Sequence, residues 1–221
     1  MLAAANFAHA PQSLLLGSRA FKVAAHEPVF DVGSPGERIY ALKLGRVLIY
    51  SMTRLGREIN YSIINPGEFF GFAALADKPR AEVVSAVALD DCEVIAIERD
   101  RLLETLRCDP VFMNSLFANL VDRLQERTQQ LADLALLGLS PRLAKWLLEL
   151  GAKSGAVEKA NAMRVEFSQK VIATFLGVGR EAINRKLREW EDDGIITLHS
   201  SDIRINDVKT LRRLIEQEGA A

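Results

Sequence analysis

The first hundred residues of the chain alternate between short apolar segments and turns that contain glycine or proline. The apolar segments lie at 38–42, 47–50, 59–64, 83–89 and 92–97, and the turns include 33–36, 45–46, 56–57 and 66–67. Strands that recur about every 8 to 12 residues, with turn residues between them, are typical of a compact barrel or roll. The pattern therefore predicts an N-terminal β-roll domain over residues 1–108.

A helical pattern replaces this alternation after Asp109 and Pro110. Aspartate before proline favours a helix start, because its side chain caps backbone amides and proline fits the first turn. Apolar residues then recur at helical spacing to about Gly138. The pattern predicts one helix over 109–138, which is roughly 42 Å long at about 1.5 Å per residue.

A helix of this length has two interpretations. It packs along one face of the sheet, or it pairs with the same helix of a second copy as a coiled coil. We favour the pair because the helix is longer than a small domain needs, and because its apolar residues include a sevenfold spacing, although Arg127 interrupts the seam. The predicted dimer contacts are Phe117, Leu120, Val121, Leu124, Leu131 and Leu134.

Residues 168–194 predict two short helices around a glycine turn. Ser168 is suited to cap the first helix, and Gly177 to a left-handed turn that a side chain would strain. The second helix begins at about Arg180 and ends at Gly194. Two short helices joined in this way form the helix-turn-helix layout.

Further predicted elements frame this pair of helices within a domain at 139–221. A helix from Pro141 to Leu150 and an exposed loop at 151–162 precede it. After it come two strands at 195–198 and 203–205, which form a hairpin like the wing of a winged helix, and a last helix at 207–218 capped by Asn206. The predicted fold class is therefore α+β: a roll, a long dimerisation helix and a winged helix-turn-helix.

The outer face of the second helix carries side chains suited to double-stranded DNA. Arg180, Glu181, Asn184 and Arg185 share one face near its N-terminal end. Arginine presents a donor fork to guanine, and glutamate accepts from cytosine. The alternative is a solvated face on which Glu181 and Arg185 only form an ion pair. Four further residues are expected to contact DNA with less base selectivity: Ser168, Gln169, Lys186 and Arg188.

Composition narrows the class of protein. The 221 residues carry a formal net charge of −1, which excludes a basic protein that coats nucleic acid, so DNA contact must come from a local patch. Cys92 and Cys108 allow no disulfide framework and no metal-ligand spacing, and we expect both to be small buried residues in a reducing compartment. No run of roughly eighteen apolar residues predicts a membrane span, and no basic residue opens a leader, so we expect a cytoplasmic protein.

The segment Gly-Val-Gly-Arg-Glu-Ala-Ile-Asn-Arg-Lys-Leu at 177–187 closely resembles the recognition segment of the Crp/Fnr superfamily of bacterial transcription regulators. The likeness extends over about residues 28–205 and includes the glycines of the roll, the long helix and the winged helix. It implies a homodimeric regulator, expected to be an activator, whose Arg180, Glu181 and Arg185 read each half of a palindrome. It also implies a half-site similar to TGTGA and contact with RNA polymerase.

The resemblance implies a cyclic-nucleotide pocket that this sequence does not complete. A ribose contact would need Gly-Glu, but Phe72 follows Gly71. The phosphate contact would need Arg-Ser or Arg-Thr, but those positions fall on Glu82 and Val83. The positions near the base fall on Arg127 and Thr128. Since a carboxylate repels a cyclic phosphate, we expect no cyclic AMP here.

The sequence also bears on three alternatives to this interpretation. The roll is a cyclic-nucleotide or other small-ligand sensor if the pocket is misaligned here; Arg80, two residues upstream, would then have to serve. A cupin-type enzyme needs two or three histidines and a carboxylate, and the roll has only His26, so we expect neither a catalytic residue nor a metal. Two distant cysteines are too few for an iron–sulfur cluster, and no cofactor is expected.

Overall fold

The structure is a computed structural model that describes residues 10–78, 80–153, 163–165, 168–199 and 202–218. It divides into two compact units, residues 1–126 and 127–221, and the boundary falls within the long helix. The predicted loop at 151–162 lies outside the described residues from 154 onward, as does the predicted hairpin turn at 200–201.

The first unit contains the predicted roll. Its elements are α1 (Gln12–Leu16), β1 (Arg19–Val23), β2 (Pro28–Phe30), β3 (Arg38–Leu44), β4 (Val47–Met52), β5 (Glu58–Ile64), β6 (Phe69–Phe70), a short 3-10 helix (Phe72–Leu75), β7 (Ser85–Ala88), β8 (Cys92–Glu98), α2 (Arg99–Cys108) and the beginning of α3 (Pro110–Leu136). The strands form two antiparallel four-stranded sheets in the orders β1-β8-β3-β6 and β2-β7-β4-β5. The roll prediction is therefore confirmed.

Both faces of the first sheet are buried, and strand β3 shows why. Tyr40 and Leu42 point into the core between the two sheets, whereas Ile39 and Ala41 point to the opposite face. That opposite face is covered by α1, α2 and the first turns of α3, whose Phe112 is buried there. The sequence pattern missed α1 and α2, and it made the strand at 83–89 too long, since β7 spans only Ser85–Ala88.

The second unit holds the predicted helix-turn-helix. After the end of α3 it contains α4 (Leu139–Lys153), β9 (Met163–Val165), α5 (Gln169–Leu176), α6 (Arg180–Asp192), β10 (Ile196–Leu198), β11 (Ile203–Ile205) and α7 (Val208–Glu218). Its core is built from Leu143, Leu147, Ile172, Ile183, Leu187, Trp190, Ile205 and Leu211. The predicted wing is confirmed as a hairpin, but β9 adds a third strand beside β11 that the sequence did not suggest.

Several local predictions in this unit were wrong. Helix α4 begins at Leu139, two residues before Pro141, since proline is tolerated in a first turn, and it continues past Leu150 to Lys153. The cap of α7 is Asp207 instead of Asn206: its carboxylate accepts from the Thr210 amide at 3.0 Å and from the Thr210 hydroxyl at 2.6 Å. These hydrogen bonds hold the pKa of Asp207 below its usual value.

The cysteine prediction was half right. Cys92 is buried, and its thiol donates to the carbonyls of Arg46 and Asp90 at 3.3 and 3.2 Å. Cys108 is exposed at the last residue of α2, because the helix turns that position away from the sheet. No helix among the described residues combines the length and the apolar character needed to cross a membrane.

Candidate nucleic-acid interface

The turn between α5 and α6 is built as the sequence predicts. The Ser168 hydroxyl accepts from the amide of Val171 at 3.3 Å and caps α5. Gly177 ends α5 with φ +63°, a left-handed conformation that glycine adopts without strain. The amide of Val178 then donates to the carbonyl of Ala173, so the turn satisfies the end of the helix. The chain is thereby redirected into α6 within three residues.

Helix α6 has a buried face and a polar face. Ile183, Leu187 and Trp190 pack into the core of the second unit and fix the rotation of the helix about its axis. That rotation directs a set of polar side chains outward: Arg180, Glu181, Arg185 and Arg188 are exposed, and Asn184 is half-buried. The structure therefore brings together the five residues of this helix face that the sequence selected.

The outward side chains of α6 differ in whether they already have a partner within the helix. No hydrogen bond or ion pair joins Glu181 to Arg185 within the portion of the chain that is described, so the ion pair of the alternative interpretation does not form. Lys186 differs, because its Nζ donates to both carboxylate oxygens of Glu189 at 2.8 and 2.7 Å. Arg185 is therefore available to bind a partner, whereas Lys186 already forms an ion pair with Glu189.

An open groove follows the polar face of α6. It is lined by Glu181, Asn184, Arg185, Arg188, Glu189, Asp192 and Asp193. Its two arginines lie in the middle of the groove, with Glu181 at the N-terminal end and Glu189, Asp192 and Asp193 at the C-terminal end. A polyanion is therefore attracted to the middle of the groove and repelled from its C-terminal end.

The remaining predicted contacts lie at the beginning of α5, where Ser168 is exposed and Gln169 is half-exposed. In the wing, Thr197 and Arg204 lie opposite each other on β10 and β11, and Arg204 is exposed. The wing is attached to α6, since the carboxylate of Glu191 accepts from the Leu198 amide at 2.8 Å.

A set of contacts around α4 was missed by the sequence pattern. Arg142 donates from Nη1 to the carbonyl of Leu176, the last residue of α5, at 2.9 Å, and from Nε to the carbonyl of Gly138 at 3.3 Å. Lys145 forms an ion pair with Asp133 near the end of α3. The only available signal was charge on an otherwise apolar helix, which usually means a solvated face. Within the second unit, the Arg142 hydrogen bond therefore holds α4 against α5, and the ion pair holds α4 against the end of α3.

Helix α3 carries an exposed apolar stripe. Phe117, Leu124 and Leu131, seven residues apart, are 61%, 68% and 68% exposed. Val121 and Leu134 are also exposed, and Leu120 is half-buried. By contrast, Phe112 and Leu116 are buried against the roll. The helix therefore packs on the roll through its N-terminal half, as far as Arg123, and presents most of the predicted dimer contacts to solvent.

The predicted effector residues of the roll have three different environments. The Phe72 ring packs against the core, with the guanidinium of Arg123 stacked 5.3 Å from its centroid. The carboxylate of Glu82 is buried, and one of its oxygens has no hydrogen-bond partner, whereas Val83 is exposed. The structure therefore places Glu82 inside the roll and turns Val83 away from it.

Two other residues bear on the same region. Arg123, which the sequence pattern missed, donates from Nη2 to the carbonyl of Phe69 at 2.8 Å and from Nε to the Asn119 amide oxygen at 3.0 Å. Burial lowers the pKa of Arg123. Arg80 is exposed, and its carbonyl accepts from the amide of Gly36 at 2.9 Å. The loop is thus held in the register that puts Glu82 inside.

The last two predicted effector residues lie in the second unit. Arg127 donates from Nη1 to the side-chain oxygen of Gln130 on its own helix at 2.5 Å, and Thr128 is exposed. Among the described residues, no cluster of histidine, cysteine or acidic side chains is arranged to hold a metal ion.

Comparison with known families and curated proteins identifies relatives across the chain. The sequence profile of the cyclic nucleotide-binding domain matches residues 20–109, and that of the Crp-like helix-turn-helix domain matches residues 141–214. The chain is 32% identical over 187 residues to a CRP-like cAMP-activated global transcriptional regulator of Mycobacterium tuberculosis, which covers 84% of this chain and 83% of the relative. It is 26% identical over 182 residues to the cAMP-activated global transcriptional regulator CRP of Pasteurella multocida, over 82% and 87% of the two chains.

Solved structures share the fold. The c-di-GMP responsive global regulator CLP of Xanthomonas campestris superimposes with a TM-score of 0.77 at 22% identity, covering 89% of this chain and 97% of that one. FixK2 of Bradyrhizobium japonicum gives a TM-score of 0.75 at 24% identity, over 89% and 96%. The order of roll, long helix and winged helix is thus an architecture already known in solved structures.

Proposed function

Because the chain belongs to the Crp/Fnr superfamily of bacterial transcription regulators, we propose that it acts as a homodimer that reads a palindromic DNA site without cyclic AMP. The half-sites are TGTGA-like, and the bound dimer activates transcription through contact with RNA polymerase. The observation that carries the proposal is the exposed polar face of α6 behind the Gly177 turn.

Base reading is assigned to three residues. Arg180 and Arg185 present donor forks that match the O6 and N7 atoms of guanine, and the carboxylate of Glu181 accepts from the amino group of cytosine. Since Glu181 and Arg185 do not pair with each other, no intramolecular bond has to break before they meet DNA. Asn184 lies between them and contacts the central base, and Ser168, Gln169, Lys186 and Arg188 contact the backbone.

A dimer is supported by the stripe on α3. Large apolar side chains exposed at heptad spacing are the pattern that a two-stranded coiled coil buries. Two identical chains present two recognition helices related by a twofold axis, which fits half-sites about 34 Å apart in a palindrome.

Independence from cyclic AMP is supported by Glu82. The Mycobacterium tuberculosis relative is named for activation by cyclic AMP, and we infer that this chain does not share that dependence. A buried carboxylate without a neutralising cation repels a cyclic phosphate, and the one arginine nearby in sequence, Arg80, is exposed and fixed in register. These residues do not fit the nucleotide.

Selection of bound sites from random DNA duplexes tests the proposal. We expect the untreated protein to enrich a palindrome and to retain its affinity when cyclic AMP is added. Enrichment that requires cyclic AMP, or protein that binds only as a monomer, would contradict it. The double variant Glu82→Arg with Val83→Ser provides a second test. If charge alone excludes the nucleotide, this variant should gain cyclic AMP binding.

A second candidate is a regulator that depends on another small ligand. One observation favours it, namely the unpartnered oxygen of Glu82 inside the roll. A domain without a ligand has no need to keep an unsatisfied carboxylate in its interior.

A further inference from the structure

The roll encloses a carboxylate that lacks a partner. Glu82 is 5% exposed, and its Oε1 atom is fully covered yet makes no hydrogen bond. Within the described residues of the roll, no lysine, arginine or histidine forms an ion pair with it. Because burying an ionised carboxylate without hydrogen bonds is unfavourable, its retention needs an explanation beyond stability.

The fold holds the backbone of Glu82 in place on both sides. Its amide donates to the carbonyl of Ser34 at 2.9 Å, and its carbonyl accepts from the amide of Gly33 at 2.7 Å. Gly36 lies so close to this segment that a Cβ atom there would be 2.2 Å from the carbonyl oxygen of Arg80. The inward direction of the Glu82 side chain is therefore fixed by two paired loops.

An aromatic cluster packs in the core between the two sheets of the roll. The ring of Tyr40 stacks on those of Phe30 and Phe70, with centroids 5.3 and 5.4 Å apart. Burial raises the pKa of Tyr40, and the charge of Glu82 adds to that shift. Burial also raises the pKa of Glu82 to about 7, with no cation to oppose it.

Glu82 is close to solvent along the chain. The side chain of the next residue, Val83, is 81% exposed, so the carboxylate lies one residue below the surface of the roll.

We propose that Glu82 anchors a binding site for a small organic cation with an amidinium or guanidinium group. The two parallel N–H donors of such a group match a carboxylate. This inference rests on the proposed function and deepens it, because it names the class of effector that the roll takes in place of a nucleotide.

The probe is benzamidine, and benzamide is its control, since it has nearly the same shape without the charge. Calorimetric titration of the full-length protein should show that benzamidine binds at least about tenfold more tightly than benzamide, because only the cation forms a charge-assisted pair. Equal binding of the two compounds, or no binding of benzamidine, would overturn the proposal.

Two variants locate the site. In Glu82→Gln the preference for benzamidine should disappear, whereas in Glu37→Gln, which removes an exposed carboxylate from the same part of the roll, it should remain. Glu82→Gln without ligand should also unfold at a higher temperature than the wild type, since it removes an unsatisfied charge. A lower unfolding temperature would mean that Glu82 is a structural partner, and a preference retained in Glu82→Gln would place the site elsewhere.

The same preparations separate this inference from the function on which it rests. Operator binding without cyclic AMP is measured on wild type and Glu82→Gln in parallel with the titrations. Loss of operator binding in both would contradict the proposed function and leave the benzamidine result intact. Operator binding in both, with no benzamidine preference, would contradict only the cation site.

Discussion

The polar face of α6 and the interior of the roll both carry charge, and the two regions treat it in opposite ways. On α6 the side chains of Arg180, Glu181 and Arg185 are exposed, so water solvates each charge until another partner replaces it. In the roll the Glu82 carboxylate is shielded from water and has an oxygen with no hydrogen bond. An exposed charge lowers the stability of the fold little and can recognise a partner through the geometry of its hydrogen bonds. A buried charge is unfavourable unless a ligand or a proton neutralises it.

The largest effect is expected from disrupting the proposed dimer, which presents the polar face of α6 twice. Leu124→Glu puts a charge into the α3 stripe and should give a monomer whose operator affinity is lower by about a hundredfold or more, because linked half-site binding is lost. Sedimentation equilibrium and operator titration measure the two effects. Leu136→Glu, also exposed on α3 but outside the heptad positions, is the control. A dimeric Leu124→Glu protein would remove α3 as the dimer contact.

The next effect sharpens the role of the exposed arginines. Arg185→Ala should lower operator affinity by about 1–3 kcal/mol per half-site and relax base preference at one position. Arg212→Ala, an exposed arginine on α7, should leave both unchanged. Competition titrations with single-base variants of the operator measure the preference. An equal loss on all sequences would make Arg185 a phosphate contact.

A smaller effect is expected from the buried charge, through pH. Burial raises the pKa of Glu82 from 4.5 to about 7, so the folded chain holds the proton more tightly than the unfolded chain. The resulting stability is fully present below pH 4.5 and is lost as pH rises toward 7, by up to about 3 kcal/mol. Calorimetric unfolding of wild type and Glu82→Gln between these pH values should show the wild type falling relative to the variant. Parallel profiles would mean that Glu82 is satisfied in solution.

The smallest effect separates a paired charge from an unpaired one on the same helix. Lys186 is bound to Glu189, so Lys186→Ala should weaken DNA binding by less than about 1 kcal/mol, and equally for all sequences. The salt dependence of operator affinity is the measurement, and its slope should fall by about one unit at most. A loss as large as that of Arg185→Ala would mean that the ion pair opens on DNA.

The elements with strong local signals were predicted well. The glycine turn at 177, the cap at Ser168 and the stripe spaced by seven on α3 depend on neighbours within one or two helical turns, and each appears where the sequence indicated. Asn206 was a wrong cap because two adjacent residues both suit that role, and only the packing of α7 selects Asp207. Strand β9 was missed because three residues give no period, and its pairing partner lies about forty residues away.

The candidate sites follow the same division. The polar face of α6 was predictable because helical spacing alone decides which side chains share a face. The sequence did not predict the contacts of Arg123, Arg142 and the Lys145–Asp133 pair. A charged residue in a helix is most often solvated, and only the tertiary structure shows when it is bound to a distant carbonyl or carboxylate.

The order of roll, long helix and winged helix, together with the residues that face outward from α6, was therefore determined by the sequence itself, because periodicity and turn chemistry act over short distances. Tertiary structure alone decided that Glu82 is buried while Val83 is exposed, and that Phe112 covers the roll while Leu124 does not. Burial depends on which distant segments meet, and local periodicity carries no information about those contacts.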